Sequence, residues 1–187
     1  MKRVVVFIDA QNYYRNARRA FFEDSTDPYP RGQVRPAAVG SLLATREADR
    51  ELTQVRLYTG RPDAYLQPKA HGANVRQCQA WESSGCYVFH RPLRYPPNYP
   101  NAGGRRPEEK GIDVALAVDL ARLAQDNKYD VAIVCTGDTD LSDNVKYATV
   151  TPRAVSYTHL RAHETVLDLV CRLLLEKKNT NNSDATT

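Results

Sequence analysis

The sequence predicts an α/β domain with a mostly parallel central sheet. Short apolar runs alternate along the chain with longer segments whose apolar residues have helical spacing. Two of the runs, VVVFI after residue 3 and VAIVC after residue 130, are apolar at every position. Such runs are typical of parallel strands that helices cover on both faces. Parallel neighbours also need crossover connections, which the intervening helical segments would provide.

The first half of the chain contains two predicted strands and three predicted helices. Residues 2–8 form the first buried strand, and residues 12–22 form a helix with a basic side at Arg15, Arg18 and Arg19. A loop rich in Pro, Asp and Gly precedes a second helix. The remaining predicted elements here are the loop 23–36, a helix over 37–49, a strand over 52–58 that Gly60-Arg61-Pro62 ends, and a helix over 64–83 that Gly85 ends.

The second half begins with the third predicted strand, a short one over residues 86–90. The irregular stretch 91–106 follows, with four prolines and Gly103-Gly104, and a loop of this length in a compact domain is often functional. Residues 108–127 predict a helix, because apolar residues recur along one side of it. Residues 130–135 predict a fourth buried strand, Gly137 a turn, and residues 138–148 another helix.

Length and composition favour one soluble globular domain. The chain has 187 residues, a net charge of +4 and no apolar run long enough to cross a membrane. The apolar stretch after Met1 is short and ends at Asp9, so it predicts a strand and not a signal peptide, and the expected location is cytoplasmic. The four cysteines have no CxxC spacing, which favours buried or free thiols over a zinc site.

Acidic residues follow two of the predicted strands. Asp9 ends the first strand, with Asn12 one turn later, and Asp138 and Asp140 follow the fourth. Asp113 lies in the first turns of the helix that leads to the fourth strand. Ligands of parallel sheets bind beyond the carboxyl ends of the strands, so these groups are expected in one crevice.

A cluster of carboxylates is unfavourable without a cation, because like charges repel. Mg²⁺ or Mn²⁺ prefers such oxygen ligands, and the absence of nearby His or Cys disfavours zinc. Each motif also has a simpler explanation: a single Asp after a strand is commonly a helix N-cap, and GDTD is a fair turn sequence. The combination of all three motifs, in order, favours the metal site. Asp119, six residues after Asp113, points to another side of the helix and is interpreted as structural.

Three blocks of the sequence, IDAQN, EKGIDVALAVDLARLA and VCTGDTDL, resemble the signature blocks of NYN domains, within the PIN-like nuclease superfamily. The resemblance covers roughly residues 1–148. It implies a three-layer α/β/α (Rossmann-like) fold, dependence on Mg²⁺ or Mn²⁺, and cleavage of RNA. It places the metal-binding acids at Asp9, Asp113 and Asp138, with Asp140 and Asn12 as further catalytic positions.

Basic and aromatic residues surround the predicted site, as expected for a surface that binds single-stranded RNA. Lys110 is expected to face the crevice and bind a phosphate, although an exposed lysine at a helix start is an equally simple explanation. The other predicted RNA-binding residues lie in or beside the irregular stretch; they are Arg91, Arg94, Tyr95, Tyr99, Arg105 and Arg106. A solvated surface loop is the alternative. Trp81 is interpreted as a core residue.

Residues 155–178 resemble the in-frame translation of a sequencing-library adapter. We therefore expect a nuclease domain over residues 1–154, truncated at its C-terminal end, and a non-native or disordered tail over 155–187. On this interpretation the sheet would lack an edge strand. The alternative is a native tail, since several apolar residues in it have helical spacing.

The leading functional hypothesis is a metal-dependent ribonuclease. A non-catalytic RNA-binding NYN module is the alternative. A metal-dependent phosphatase of another α/β family is disfavoured, because such an enzyme would need a DxD motif where this chain has DAQN. The sequence leaves open which RNA is bound, whether cleavage is internal or from an end, and whether the chain forms a homo-oligomer.

Overall fold

The computed structural model describes residues 1–21, 33–137 and 154–159. It confirms the predicted α/β class: within these residues, five strands and four helices alternate along most of the chain. The strands are β1 (Lys2–Asp9), β2 (Arg50–Arg61), β3 (Tyr87–Pro92), β4 (Val131–Thr136) and β5 (Ala154–His159). The helices are α1 (Ala10–Phe21), α2 (Pro36–Ala44), α3 (Pro68–Ser83) and α4 (Ile112–Gln125).

The five strands form one parallel sheet in the order β3-β2-β1-β4-β5. β1 is the central strand, with Val6 paired to Val55 of β2 and to Ile133 of β4. β2 and β3 thus lie on one side of β1, and β4 and β5 lie on the other side. The strand order therefore changes direction between β1 and β4. Such a switch point opens a crevice beyond the carboxyl ends of the strands concerned, here β1 and β4.

Alternate residues of β1 enter two separate cores. Val4, Val6 and Ile8 are buried against α1 and α2, with Trp81 of α3 packed at the edge of the same core. Val5 and Phe7 are buried on the opposite face, where Leu116 and Leu120 of α4 cover them. The sheet is thus the middle layer of three, as predicted, and this two-sided burial explains why β1 is apolar throughout.

A buried charged network joins α4 to β2 in the second core. The Arg56 guanidinium contacts one oxygen of Asp119 at 2.7 Å, and the Tyr58 hydroxyl donates to the same oxygen at 3.0 Å. Arg56 is 4% exposed and also lies over the ring of Tyr87. The structural interpretation of Asp119 is therefore confirmed.

Several element boundaries differ from the prediction: β2 is longer and includes Gly60, α3 begins at Pro68, and α1 begins at Ala10. The boundaries of α4 and α2 differ for local reasons. α4 begins at Ile112 and not at residue 108, because Gly111 has a φ of 73°, which no helical residue adopts. Glu108 instead exchanges backbone hydrogen bonds with Arg94 in an isolated antiparallel bridge. α2 ends at Ala44, since residues 45–49 form turns that lead into β2.

The expected loss of an edge strand is wrong, because residues 154–159 supply that strand. β5 pairs in parallel with β4 from Val131↔Ala154 to Thr136↔His159. The backbone at the start of the adapter-like run thus continues the ladder of the sheet. The helix predicted over 138–148 and the chain after residue 159 lie outside the described residues.

Cys78, Cys86 and Cys135 are free and buried, as predicted, and Cys171 lies outside the described residues. Burial raises the pKa of the Cys135 thiol to about 12. Within the described residues, no helix has the length and apolar character that crossing a bilayer requires.

Candidate functional site

A polar cleft of about 510 Å³ lies beyond the carboxyl end of β1. The end of β1, the first turns of α1, the loop before α4 and the first turn of α4 form its walls. Asp9, Asn12 and Asp113 all line it, so the structure brings together three residues that the sequence selected. The full lining is Asp9, Gln11, Asn12, Arg15, Arg106, Pro107, Glu108, Glu109, Ile112 and Asp113.

Asp9 is the last residue of β1 and is followed at once by α1. Its Oδ1 accepts a hydrogen bond from the backbone N–H of Asn12 at 3.1 Å. This contact caps the N-terminus of α1, where the helix dipole favours a negative charge. The Asp9 carboxylate therefore caps α1 and also lines the cleft, so the two roles are compatible.

Asn12 connects α1 to the residue that follows β4. Its Oδ1 accepts from the backbone N–H of Gly137 at 2.8 Å and from Nδ2 of Asn16 at 2.6 Å. A β-carbon on residue 137 would lie 2.8 Å from that same oxygen, so the close approach requires glycine. The side-chain carbonyl of Asn12 thus fixes the backbone that leads to Asp138.

Asp113 lies in the first turn of α4 and is exposed in the cleft. The helix dipole stabilises its carboxylate there. Gly111, in the left-handed conformation just before the helix, turns the chain from the loop into α4. The KGID sequence is therefore suited to presenting an acid at a helix start.

Glu109 is a further acid of the cleft that the sequence analysis did not select. One of its carboxylate oxygens, Oε1, accepts a hydrogen bond from the backbone N–H of Gly60, the second-last residue of β2. Burial raises the pKa of Glu109, and the negative charge of Asp9 raises it further, while the Gly60 N–H and Arg15 lower it. The Glu109 carboxylate is thus close enough to Asp9 to be repelled by its charge. Its hydrogen bond to Gly60 connects the loop before α4 to β2.

Two arginines supply positive charge to the cleft. Arg15 extends from α1, and Arg106 comes from the loop that leads to Glu108 and Glu109. Lys110 and Arg105 are exposed, but among the described residues neither belongs to the lining of the cleft. The structure therefore places Arg106 in the cleft and Lys110 outside it.

The other predicted RNA-binding residues have contacts within the fold. Nη1 of Arg91 donates to the Gly111 carbonyl at 3.3 Å, beside the start of α4. The hydroxyl of Tyr95 accepts from the Asp63 N–H and donates to Gln67 Oε1, both at 2.8 Å, and its ring meets that of Tyr99 edge-on. These tyrosines anchor the irregular stretch to the segment between β2 and α3.

Comparison with protein families identifies the domain. A family model described as the NYN domain matches residues 3–159, which covers the five described strands except for Lys2 at the start of β1. The chain belongs to the NYN domain family. No curated protein and no solved structure matched the chain. Family membership places the chain among the PIN-like nucleases, and the parallel sheet agrees with that placement.

The cleft of this NYN domain offers oxygen donors of the kind that Mg²⁺ and Mn²⁺ prefer. Asp9, Asp113 and Glu109 contribute carboxylates from three different segments. In the ranges 1–21, 33–137 and 154–159, no group of three His, Cys, Asp or Glu residues is close enough to hold a metal ion. Asp138, which directly follows Gly137, and Asp140 lie outside these ranges.

Glu109 was missed because its role depends on tertiary contacts. The glutamate precedes α4 and belongs to a run of charged residues, EEK, which is typical of a solvated surface. Its proximity to β2 exists only once the loop has folded back through the Arg94–Glu108 bridge. The one signal in the sequence was its position inside the EKGID block.

Proposed function

We propose that this NYN domain is a metal-dependent ribonuclease that hydrolyses phosphodiester bonds of single-stranded RNA in the acidic cleft. The observation that carries the proposal is the shared cleft of Asp9 and Asp113, two acids 104 positions apart in the chain that line one polar cavity together with two arginines. Membership in a nuclease family supports the same conclusion.

In this proposal Asp9, Asp113 and Asp138 hold one Mg²⁺ or Mn²⁺ ion, and Asp140 completes the acidic set. The ion, when bound, activates water and neutralises charge on the phosphate that is attacked. Asp138 follows Gly137, whose N–H is held by Asn12. Asn12 therefore acts through the backbone, by fixing the residue before Asp138, as well as through its place in the cleft.

The arginines bind the RNA backbone. Arg15 and Arg106 lie in the cleft beside the acids, so they are positioned to pair with the scissile phosphate or its neighbours. Lys110, Arg91, Arg94 and Arg105 extend the positive surface around the entrance. Such phosphate contacts give affinity without sequence preference and weaken as salt concentration rises.

The test is cleavage of end-labelled single-stranded RNA with Mn²⁺, with EDTA and with the variant Asp138→Asn. Cutting that needs Mn²⁺ and is lost in the variant is the expected result. The same samples are measured for RNA binding by fluorescence anisotropy in EDTA. A folded protein that binds RNA and leaves it intact under every metal condition would contradict the proposal and establish a non-catalytic RNA-binding module.

A further inference from the structure

A second cavity, of about 220 Å³, adjoins the acidic cleft. It lies between the start of α1, the end of β2 and one side of α3, on the sheet face that carries the first core. Gln11 and Glu109 line both the cavity and the cleft. The cavity and the cleft therefore lie side by side and share part of their walls.

The walls of the cavity are aromatic and aliphatic. Tyr14 and Trp81 contribute rings, and Leu57 and Leu93 contribute aliphatic surface. Glu109, at the junction with the cleft, is the one charged side chain among the described residues that line it. Among these described lining residues a phosphate or another anion would meet no cation, whereas a flat neutral ring would meet apolar surface on several sides.

Amide groups provide polar contacts along one side. Gln77 of α3 donates through Nε2 to Oε1 of Gln33. Asn74, one turn earlier, donates to the Gly60 carbonyl at 3.2 Å. Each glutamine amide has two donor hydrogens and an acceptor oxygen, so the Gln33–Gln77 pair has hydrogen-bonding capacity beyond their mutual bond. Amides of this kind pair with the edges of nucleobases.

We infer that the cavity holds one base of the RNA whose backbone crosses the acidic cleft, with the Gln77 and Gln33 amides at the edge of the base. This inference rests on the proposed function. The volume agrees, because a cavity of about 150 Å³ holds a benzene molecule, so 220 Å³ suits one aromatic heterocycle. The cavity would thus give the nuclease a preference for the nucleotide next to the scissile bond.

Trp81 allows a direct test, since it is the single tryptophan of the chain and lines the cavity. The probes are the four nucleoside 5′-monophosphates, with ribose 5-phosphate as the probe that lacks a base. N-acetyltryptophanamide corrects for light absorbed by the nucleotides. The expected result is a saturable change of Trp81 fluorescence with at least one nucleotide and no change with ribose 5-phosphate. No change with any nucleotide would overturn the inference.

A matched pair of variants tests the amide contact. Gln77→Ala removes a residue of the lining, and Gln79→Ala removes an exposed glutamine of the same helix. Gln77→Ala is expected to weaken binding of the preferred nucleotide about tenfold, the effect of losing one good amide–base contact. Gln79→Ala should bind like the unchanged protein. Equal affinities for both variants, in proteins with the same melting temperature, would contradict the assignment of Gln77.

Cleavage of RNA containing one abasic position separates this inference from the proposed function. A loss of cutting confined to abasic positions beside the scissile bond supports the base site. Unchanged cutting at every abasic position overturns the base site and leaves the ribonuclease proposal standing. If intact RNA is bound but never cut, while Trp81 still responds to nucleotides, the base site stands and the ribonuclease proposal fails.

Discussion

The side-chain carbonyl of Asn12 and the backbone N–H of Gly137 are 2.8 Å apart and form a hydrogen bond between α1 and the end of β4. Asn12 follows Asp9 by three residues, and Gly137 directly precedes Asp138. One amide thus connects the two strand ends that carry the predicted metal-binding acids. The bond explains why an asparagine one turn after the first acid matters to the geometry of the second.

Replacing Asn12 with alanine should therefore disturb the site more than the fold. The change leaves the Gly137 N–H without its partner, which costs about 1 kcal/mol of unfolding free energy. Cleavage should fall by more than tenfold, because the backbone before Asp138 is released. Chemical denaturation and RNA cleavage measure the two effects, with Gln125→Ala, at an exposed position of α4, as the control. Full activity in Asn12→Ala would contradict this role.

Gly60 is packed closely against the side chains of Leu93 and Glu109. A β-carbon on residue 60 would lie 2.4 Å from Leu93 Cδ2, 2.6 Å from Glu109 Cγ and 2.7 Å from Glu109 Oε1, so both side chains would have to move. Gly60→Ala should lower the unfolding free energy by about 1–3 kcal/mol through overpacking and reduce cleavage. Thermal melting and the cleavage assay report the two changes.

Gly72→Ala is the matched control for this prediction. Its nearest neighbour would be the flexible end of Arg76, at 3.4 Å, and Gly72 lies inside α3. Alanine favours the helix there, so Gly72→Ala should stabilise the protein by about 0.5–1 kcal/mol and leave cleavage unchanged. If both variants melt at the temperature of the unchanged protein, the tight packing assigned to Gly60 is wrong.

Local patterns were sufficient to predict the layers of the fold. The uninterrupted apolar run of β1 reflects burial on both faces, and the spacing of Leu116 and Leu120 in α4 reflects one buried side. Asp9 and Asp113 could be selected because both occur at ends of elements whose positions follow from the parallel sheet. These two site residues could therefore be predicted from the topology of the sheet.

Features that depend on loop geometry could not be predicted in the same way. The late start of α4 follows from the φ of Gly111, and the position of Glu109 follows from a backbone bridge between Arg94 and Glu108. The cavity beside the cleft is assembled from α1, β2 and α3, and no periodic pattern in any one of them marks it. The edge strand β5 was missed because its sequence was interpreted as non-native.

The Arg56–Asp119 pair should contribute to stability and not to catalysis. The two side chains are 5% and 15% exposed, so Asp119→Ala leaves a buried guanidinium without its main partner. Loss of about 3 kcal/mol of unfolding free energy is expected. Asp49→Ala, which removes an exposed partner of Lys2, should have a much smaller effect. Similar urea midpoints for the two variants would contradict the burial argument.

The three described cysteines should be unreactive in the native protein. All are buried, and burial raises the pKa of Cys135 to about 12, so its reactive thiolate is scarce at neutral pH. In a Cys171→Ser background, a thiol reagent should label none of them rapidly at pH 8 and all three after unfolding in guanidinium. Rapid labelling of the native protein would show that these cysteines are accessible to solvent and would contradict their burial.

The most direct test of the central claim compares two aspartates of the same helix. Asp113 lies in the first turn of α4, inside the cleft, and Asp126 is exposed at the other end of that helix. The measurement is the Mn²⁺-dependent rate of single-stranded RNA cleavage by Asp113→Asn and Asp126→Asn, each checked for a cooperative melt. We predict that Asp113→Asn loses at least a hundredfold in rate while Asp126→Asn retains the full rate. Equal rates in two folded variants would contradict the assignment of the acidic cleft as the catalytic site.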